Sequence, residues 1–262
     1  MWKKLGKILL FMLILFINHH IVFAQDTTSE LKKEIDELKH KQNILSEDIR
    51  LIKNILLKNL GNTQKPSLPT VNVIDVEFEL GNNPEKGIES APLVLVEFSD
   101  YQCSYCKKHS IETYPHIQEN FINTGKLRYV FIDNPLPNHS FATKAAESAH
   151  CAAEQNRFAE MHQKIMESSP KSIDDLLSLA LSLNIDMQKF KRCIESNKYA
   201  NKVASNLSLA KRLNILNAPG FVLASSNPDN PKKVKGISFI RGARPFVQFK
   251  AQIDEALNNL SK

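Results

Sequence analysis

Apolar and polar positions change their rhythm several times along the chain. From Ile8 to Ile17 every residue is apolar. From Leu31 a seven-residue repeat takes over. Leu31, Leu38, Leu45 and Ile52 recur at that spacing, Ile35, Ile49 and Leu56 fill the interleaved positions, and Gln42 is the one polar member. Such a narrow stripe is the seam of a coiled coil. No glycine or proline interrupts residues 28–60, so the pattern predicts one long helix there. Gly61 to Thr70, with Pro66 and Pro69 among polar residues, reads as a linker. Beyond it, Val71–Leu80 alternates like a half-exposed strand, and Gly81 to Pro92 reads as a loop. Leu93–Phe98 is an almost unbroken apolar run, as in a strand covered on both faces. A helix follows from Cys103 toward Phe121, with a kink expected at Pro115. Leu127–Ile132 is a second buried strand. Phe141 to Leu213 reads as several helices, one starting at Ser172. A short strand at Phe221–Ala224, a turn at Asn227–Pro231, a strand at Ile237–Arg241 and a helix at Phe246–Leu260 complete an α/β order.

The chain has 262 residues, room for one or two domains, and 42% hydrophobic with 24% charged residues is a globular balance. The net charge is +6, and half of the excess comes from Lys3, Lys4 and Lys7. No dense basic cluster remains, so nucleic acid is not an expected partner. Those lysines, the apolar run and Val22-Phe23-Ala24 form the pattern of a secretory signal peptide over residues 1–24. The run is short for a stable span, although an uncleaved anchor is the alternative. No cysteine stands near the cleavage position, which argues against a lipoprotein. The remainder is then an exported, extracytoplasmic domain over residues 71–262, where disulfides persist.

Charge supports the coiled coil. Glu34 and Asp48 fall at g positions, and Lys39 and Lys53 fall at e positions, spaced for pairs between parallel helices. The alternative is a helix docked on its own domain.

The candidate chemistry lies at Cys103-Ser104-Tyr105-Cys106, where a buried strand feeds a helix. Free N–H groups and the positive end of a helix stabilise a thiolate. Cysteines at i and i+3 share a face and can close a reversible disulfide. The first is expected to be exposed and to attack, the second to be shielded and to resolve. Half of a zinc site is the rival reading, but no second such pair exists. Glu97 shares a strand face with Leu93 and Leu95. A carboxylate in so apolar a run is costly unless it works or is paired, and a raised pKa would suit proton exchange with Cys106. The plain alternative is a strand-end glutamate turned to water. His139, His150 and His162 offer no metal spacing. Cys151 and Cys193 complete the four cysteines, which allow three pairings.

The segment Val96-Glu97-Phe98-Ser99-Asp100-Tyr101-Gln102-Cys103-Ser104-Tyr105-Cys106-Lys107 resembles the active-site segment of DsbA-like thiol-disulfide oxidoreductases. Pro135–His139 with Ala142, His150–Phe158 with Met161-His162, Phe190 with Cys193, and Arg241–Pro245 resemble later parts of that family in order. The resemblance covers about residues 85–262. It implies a thioredoxin-like fold with a helical insertion at about 140–213. It implies Cys103 as nucleophile, Cys106 as resolving thiol, Ser104 and Tyr105 as the dipeptide between them, and Pro219 as a cis-proline facing substrate. It also implies a structural bridge between Cys151 and Cys193, worth about 4 kcal/mol for a loop of that length. Two features depart from the family: Asn217, Ala218 and Gly220 are unusual neighbours for that proline, and the dipeptide has neither proline nor histidine.

The expected function is therefore an exported oxidoreductase that forms or rearranges disulfides in unfolded or misfolded exported proteins. It needs no cofactor and no metal, and it is reset by a membrane redox partner. Oligomerisation through residues 28–60 favours an isomerase. A disulfide-introducing oxidase and a non-catalytic coiled-coil scaffold are the alternatives.

Overall fold

The computed structural model describes residues 32–42, 45–47, 49, 50, 53, 71 and 73–260. The expected signal (1–24), the linker (61–70), and Leu31, Asp48, Ile52 and Leu56 of the heptads lie outside the described residues. The chain divides into two compact units, residues 1–68 and 69–262.

In the first unit every described residue is helical. Its described seam residues are exposed: Ile35 42%, Leu38 64%, Leu45 60% and Ile49 58%. Lys39 pairs within the helix with Asp36 at 3.6 Å, and Lys41 with Glu37 at 2.8 Å. Among the described residues no helix is long and apolar enough to cross a membrane.

The second unit is built on β3 (Leu93–Ser99), all of whose residues are buried. Strands β1 (Glu77–Glu79), β2 (Glu85–Lys86), β4 (Leu127–Asp133), β5 (Gly220–Ser226) and β6 (Lys233–Arg241) complete a sheet of order β1-β6-β5-β3-β4-β2. β3 lies parallel to β4 and antiparallel to β5, while the outer pairs are antiparallel. A parallel pair needs a crossover, and α1 supplies it. It runs in four consecutive pieces: Ser104–Lys108, a π-turn at His109–Thr113, Tyr114–Ile117 and a second π-turn at Gln118–Ile122.

Between β4 and β5 come α2 (Ala142–Ala153), α3 (Phe158–Ser168), α4 (Ile173–Ser182), α5 (Met187–Glu195) and α6 (Ala200–Arg212). α7 (Phe246–Leu260) closes the chain. α4 starts where expected, in a capping box of Ser172 with Asp175. Val94, Val96 and Phe98 pack on one sheet face with Leu209, Ala210 and Leu213. Leu93 and Leu95 pack on the other with Ile117 and Phe121 of α1 and Phe249 and Ile253 of α7. Each such side chain contributes roughly 1.5–3 kcal/mol. A third cluster, of the inserted helices, includes Tyr101, Cys103 and Cys106. This α/β architecture is the expected thioredoxin-like fold with inserted helices.

Two local readings need correction, and the irregularity expected at Pro115 takes the form of a π-turn just ahead of it. The strand read over Val71–Leu80 shortens to Glu77–Glu79 because Asp75 takes a left-handed φ of 62°. There the chain presses Val73 against Gly236, where a Cβ would lie 2.0 Å from the Val73 carbonyl oxygen. The loop read over Gly81 to Pro92 contains β2. At Pro115 the helix widens ahead of the ring, since proline offers no N–H to the carbonyl four residues back and crowds it.

Candidate active site

β3 ends at Ser99 and hands the chain to a tight turn that delivers the two cysteines. The Cys103 backbone N–H donates to the Asp100 carbonyl at 3.1 Å, and Cys103 stands in the N-cap position of α1 with extended φ and ψ. Both cysteines are thiols in this structure. Their acidities are driven apart. A hydrogen bond from the Cys106 side chain lowers Cys103 to about 6, against the opposing effect of burial and with help from the Cys106 and Tyr105 backbone N–H groups. Burial pushes Cys106 well above the usual thiol value, and Cys103 and Glu97 push it further. The arrangement makes Cys103 the thiol that ionises first and keeps Cys106 protonated.

Exposure follows the same order, but less openly than expected. Cys103 is only 7% exposed and Cys106 is 0%. The Ala218 side chain packs against the cluster that contains both cysteines, and the Cys103 thiol donates to the Ala218 carbonyl at 3.4 Å. Ala218–Pro219 is a cis peptide bond. Ser104 and Tyr105, between the two cysteines, are exposed, Tyr105 by 64%.

Asp100 fastens this turn to the loop after β4. Its carboxylate accepts from the Gln102 N–H at 2.7 Å and the Leu136 N–H at 2.7 Å, and it meets His139 Nδ1 at 2.8 Å. Gln102 in turn accepts from the Phe141 N–H at 2.6 Å. His139, read from sequence as a plain loop residue, therefore belongs to the wall of the site.

Glu97 does not turn to water. It is 2% exposed, in register with Phe131 on β4 and Phe221 on β5. Burial raises its pKa to about 7, against a hydrogen bond from Tyr129 that lowers it. The Tyr129 hydroxyl donates to Glu97 Oε2 at 2.8 Å, and His109 Nε2 lies 2.9 Å from that hydroxyl. Tyr129 and His109 were missed from sequence. A period-two reading of Leu127–Asp133 puts Tyr129 on one face with Phe131, and a polar head in a buried strand was the available signal.

The structure joins Cys151 of α2 to Cys193 of α5, with Cα atoms 5.8 Å apart. His150 Nε2 pairs with Asp133 at 2.7 Å, and His162 Nδ1 with the Tyr101 hydroxyl at 2.9 Å. Among the described residues no cluster of three or more His, Cys, Asp or Glu could hold a metal ion.

The family model of thioredoxin matches residues 80–240. A probable disulfide bond formation protein D of Bacillus anthracis is 28% identical over 163 residues, covering 59% of this chain and 75% of that protein. A Na(+)/H(+) antiporter, NhaA 3 of Salinispora tropica, is 28% identical over 155 residues, but there the match spans only 23% of the antiporter's length. Among solved structures, oxidised BdbD from Bacillus subtilis superposes with a TM-score of 0.61 at 22% identity, covering 71% of this chain and 98% of the other. A point variant of alpha-DsbA1 from Wolbachia pipientis gives 0.60 at 23%, covering 68% and 92%. At these identities the structural likeness concerns the fold.

Proposed function

We propose, for a chain that belongs to the thioredoxin family and is a DsbA-like thiol-disulfide oxidoreductase, that Cys103 and Cys106 are its redox pair and exported proteins its substrates. The observation that carries this is the opposed setting of the two thiols, one lowered to about 6 and the other raised. The Cys103 thiolate attacks a substrate disulfide, forming a mixed disulfide and releasing one substrate thiolate. Cys106 gives its proton to Glu97 through water, attacks Cys103 Sγ and expels the second substrate thiolate. Substrate has then gained two electrons and the enzyme holds a disulfide. The reverse sequence introduces a bridge into a dithiol substrate. In isomerisation a different substrate thiolate attacks the substrate sulfur of the mixed disulfide instead and expels the Cys103 thiolate, so a new pairing forms and no net electrons move. Ala218 and Pro219 border Cys103 and form the edge against which substrate backbone lies. Cys151–Cys193 serves as a structural bridge.

The direction proposed is that of an oligomeric isomerase, supported by the exposed seam of Ile35, Leu38, Leu45 and Ile49. Such a seam, joined between copies, holds several Cys103 sites near one substrate. The oxidase reading draws on the acidity of Cys103 and on relatives named for disulfide bond formation, and in that direction a membrane redox partner resets the pair. Residues 1–24 support export. The deciding experiment compares Cys103→Ser with Cys106→Ser. The first abolishes insulin reduction; the second accumulates mixed disulfides with substrate. Faster alkylation of Cys106 than of Cys103 in the reduced protein would reverse the two roles.

A further inference from the structure

Three buried polar side chains run in line beneath the active turn, and two of them have no part in the chemistry above. Glu97 on β3, Tyr129 on β4 and His109 on α1 are 2%, 0% and 0% exposed. Tyr129 has a single O–H, and it donates to Glu97 Oε2. Its oxygen, 2.9 Å from His109 Nε2, can therefore only accept there, so His109 carries its proton on Nε2. That leaves His109 Nδ1 as a bare acceptor. It has no hydrogen-bond partner, and the imidazole lies 4.4 Å from the Phe221 ring and 5.3 Å from the Phe249 ring, centre to centre. A phenylalanine would fill this pocket without burying an unpaired nitrogen. What the imidazole supplies is the Nε2–H aimed at Tyr129. At the far end of the line Glu97 Oε1 has no partner within hydrogen-bond distance, and the Ser99 hydroxyl is the further side chain that lowers the carboxyl's pKa.

We propose that Tyr129 and His109 are positioning residues for proton exchange at Glu97: the imidazole holds the phenol, the phenol holds Oε2, and the exchangeable proton is confined to Oε1. This rests on the reading of Glu97 as the acceptor of the Cys106 proton. The polarity of the line is fixed from the histidine end, because a neutral imidazole has one N–H and its other nitrogen finds nothing to bind. Burial lowers His109 to about 3, so it remains neutral while Glu97 titrates near 7. Each bond in such a series strengthens the next, so loss of the Nε2–H weakens the bond that steadies the carboxylate. The other titratable groups that face Glu97 are Cys103 and Cys106 from the active turn, Tyr101 beside it and Tyr114 of α1. From α3, His162 faces His109, and burial lowers it to about 4. From β5 and α7 the Phe221 and Phe249 rings meet the imidazole.

The test uses the full chain and three variants: His109→Phe, Tyr129→Phe and Glu97→Gln. The protonated-carboxyl infrared band that Glu97→Gln removes is followed with pH, together with the single-turnover rate at which Cys106 resolves a mixed disulfide. Removing a donor to a carboxylate raises its pKa. Tyr129→Phe should move the band's midpoint upward by about one pH unit and His109→Phe by about half a unit, slowing resolution at pH 6 by about tenfold and about threefold. In the Glu97→Gln background neither second substitution should shift the pH profile further. A histidine that only fills space would leave the Glu97 band in place, and that result overturns the proposal. If Glu97→Gln itself leaves resolution unchanged, the reading of Glu97 fails, which is a separate outcome. Should the variants not fold, 15N spectra of the unaltered protein decide. Neutral His109 with its proton on Nε2 from pH 5 to pH 8 supports the line; a proton on Nδ1 overturns it.

Discussion

Two side chains carry the pH behaviour of this protein, and they act in opposite senses. Cys103 is lowered to about 6. Below that pH it is a thiol and reacts slowly; above it the thiolate fraction saturates. Iodoacetamide should therefore label Cys103 in the reduced protein with a half-maximal rate near pH 6, and Cys106 should lag at every pH up to 8. Glu97 is raised from 4.5 to about 7, first by burial. A raised carboxylate pKa means that the unfolded chain ionises first, so stability falls as pH climbs through that window. Replacing it with glutamine should remove the loss, worth roughly 3 kcal/mol at pH 8 and little at pH 5. Thermal unfolding at the two pH values checks this, and an equal change at both would contradict it. Glu97 stood out in the sequence because a charge interrupts an apolar run. Tyr129 and His109 did not: an aromatic in a strand and a histidine in a helix are ordinary, and only the packed side chains show that the phenol meets the carboxylate and the imidazole meets the phenol. The contact of Ala218 with Cys103 joins residues 115 positions apart, which no local pattern reports.

At the scale of elements, the strong hydrophobic periods were legible and the irregular joins were not. Leu93–Phe98 and Leu127–Ile132 read as buried strands because both of their faces are covered. The edge strands β1 and β2 escaped, the first overextended and the second unseen, since a two- or three-residue strand has too few positions to show a period. The π-turn before Pro115 follows from proline chemistry, yet which turn absorbs the strain depends on packing against Arg244, whose carbonyl accepts from Thr113 at 3.1 Å. The inserted helices carry their own covalent link. Its removal in Cys151→Ser/Cys193→Ser should cost ~2–4 kcal/mol of unfolding free energy while leaving Cys103 alkylation unchanged. Mass mapping after mild dithiothreitol should find Cys103 and Cys106 free and Cys151–Cys193 still paired.

For the molecule as a whole, the heptads bear on the proposed isomerase role. Ile35, Leu38, Leu45 and Ile49 present an apolar stripe to solvent, and a stripe of this kind is covered when helices associate. Light scattering should find the full chain multimeric and a chain begun at Val71 monomeric. The short form should keep dithiol oxidation and lose the refolding of scrambled ribonuclease. Equal refolding by both would remove the isomerase role, and a monomeric full chain would remove the assembly with it.

Asn134 ties the two ends of the helical insertion to the end of β3, from which the chain turns toward the cysteines. Its backbone N–H donates to the Ser99 carbonyl at 2.7 Å, and its side chain donates to the carbonyls of Ile215 and Asn217, each at 3.3 Å. The chain leaves the sheet for the helices and returns from them at points that this one amide staples together. The insertion also meets the sheet through Leu209 and Ala210 of α6 and through His150 of α2, and its return limb carries the Ala218 carbonyl to Cys103 Sγ.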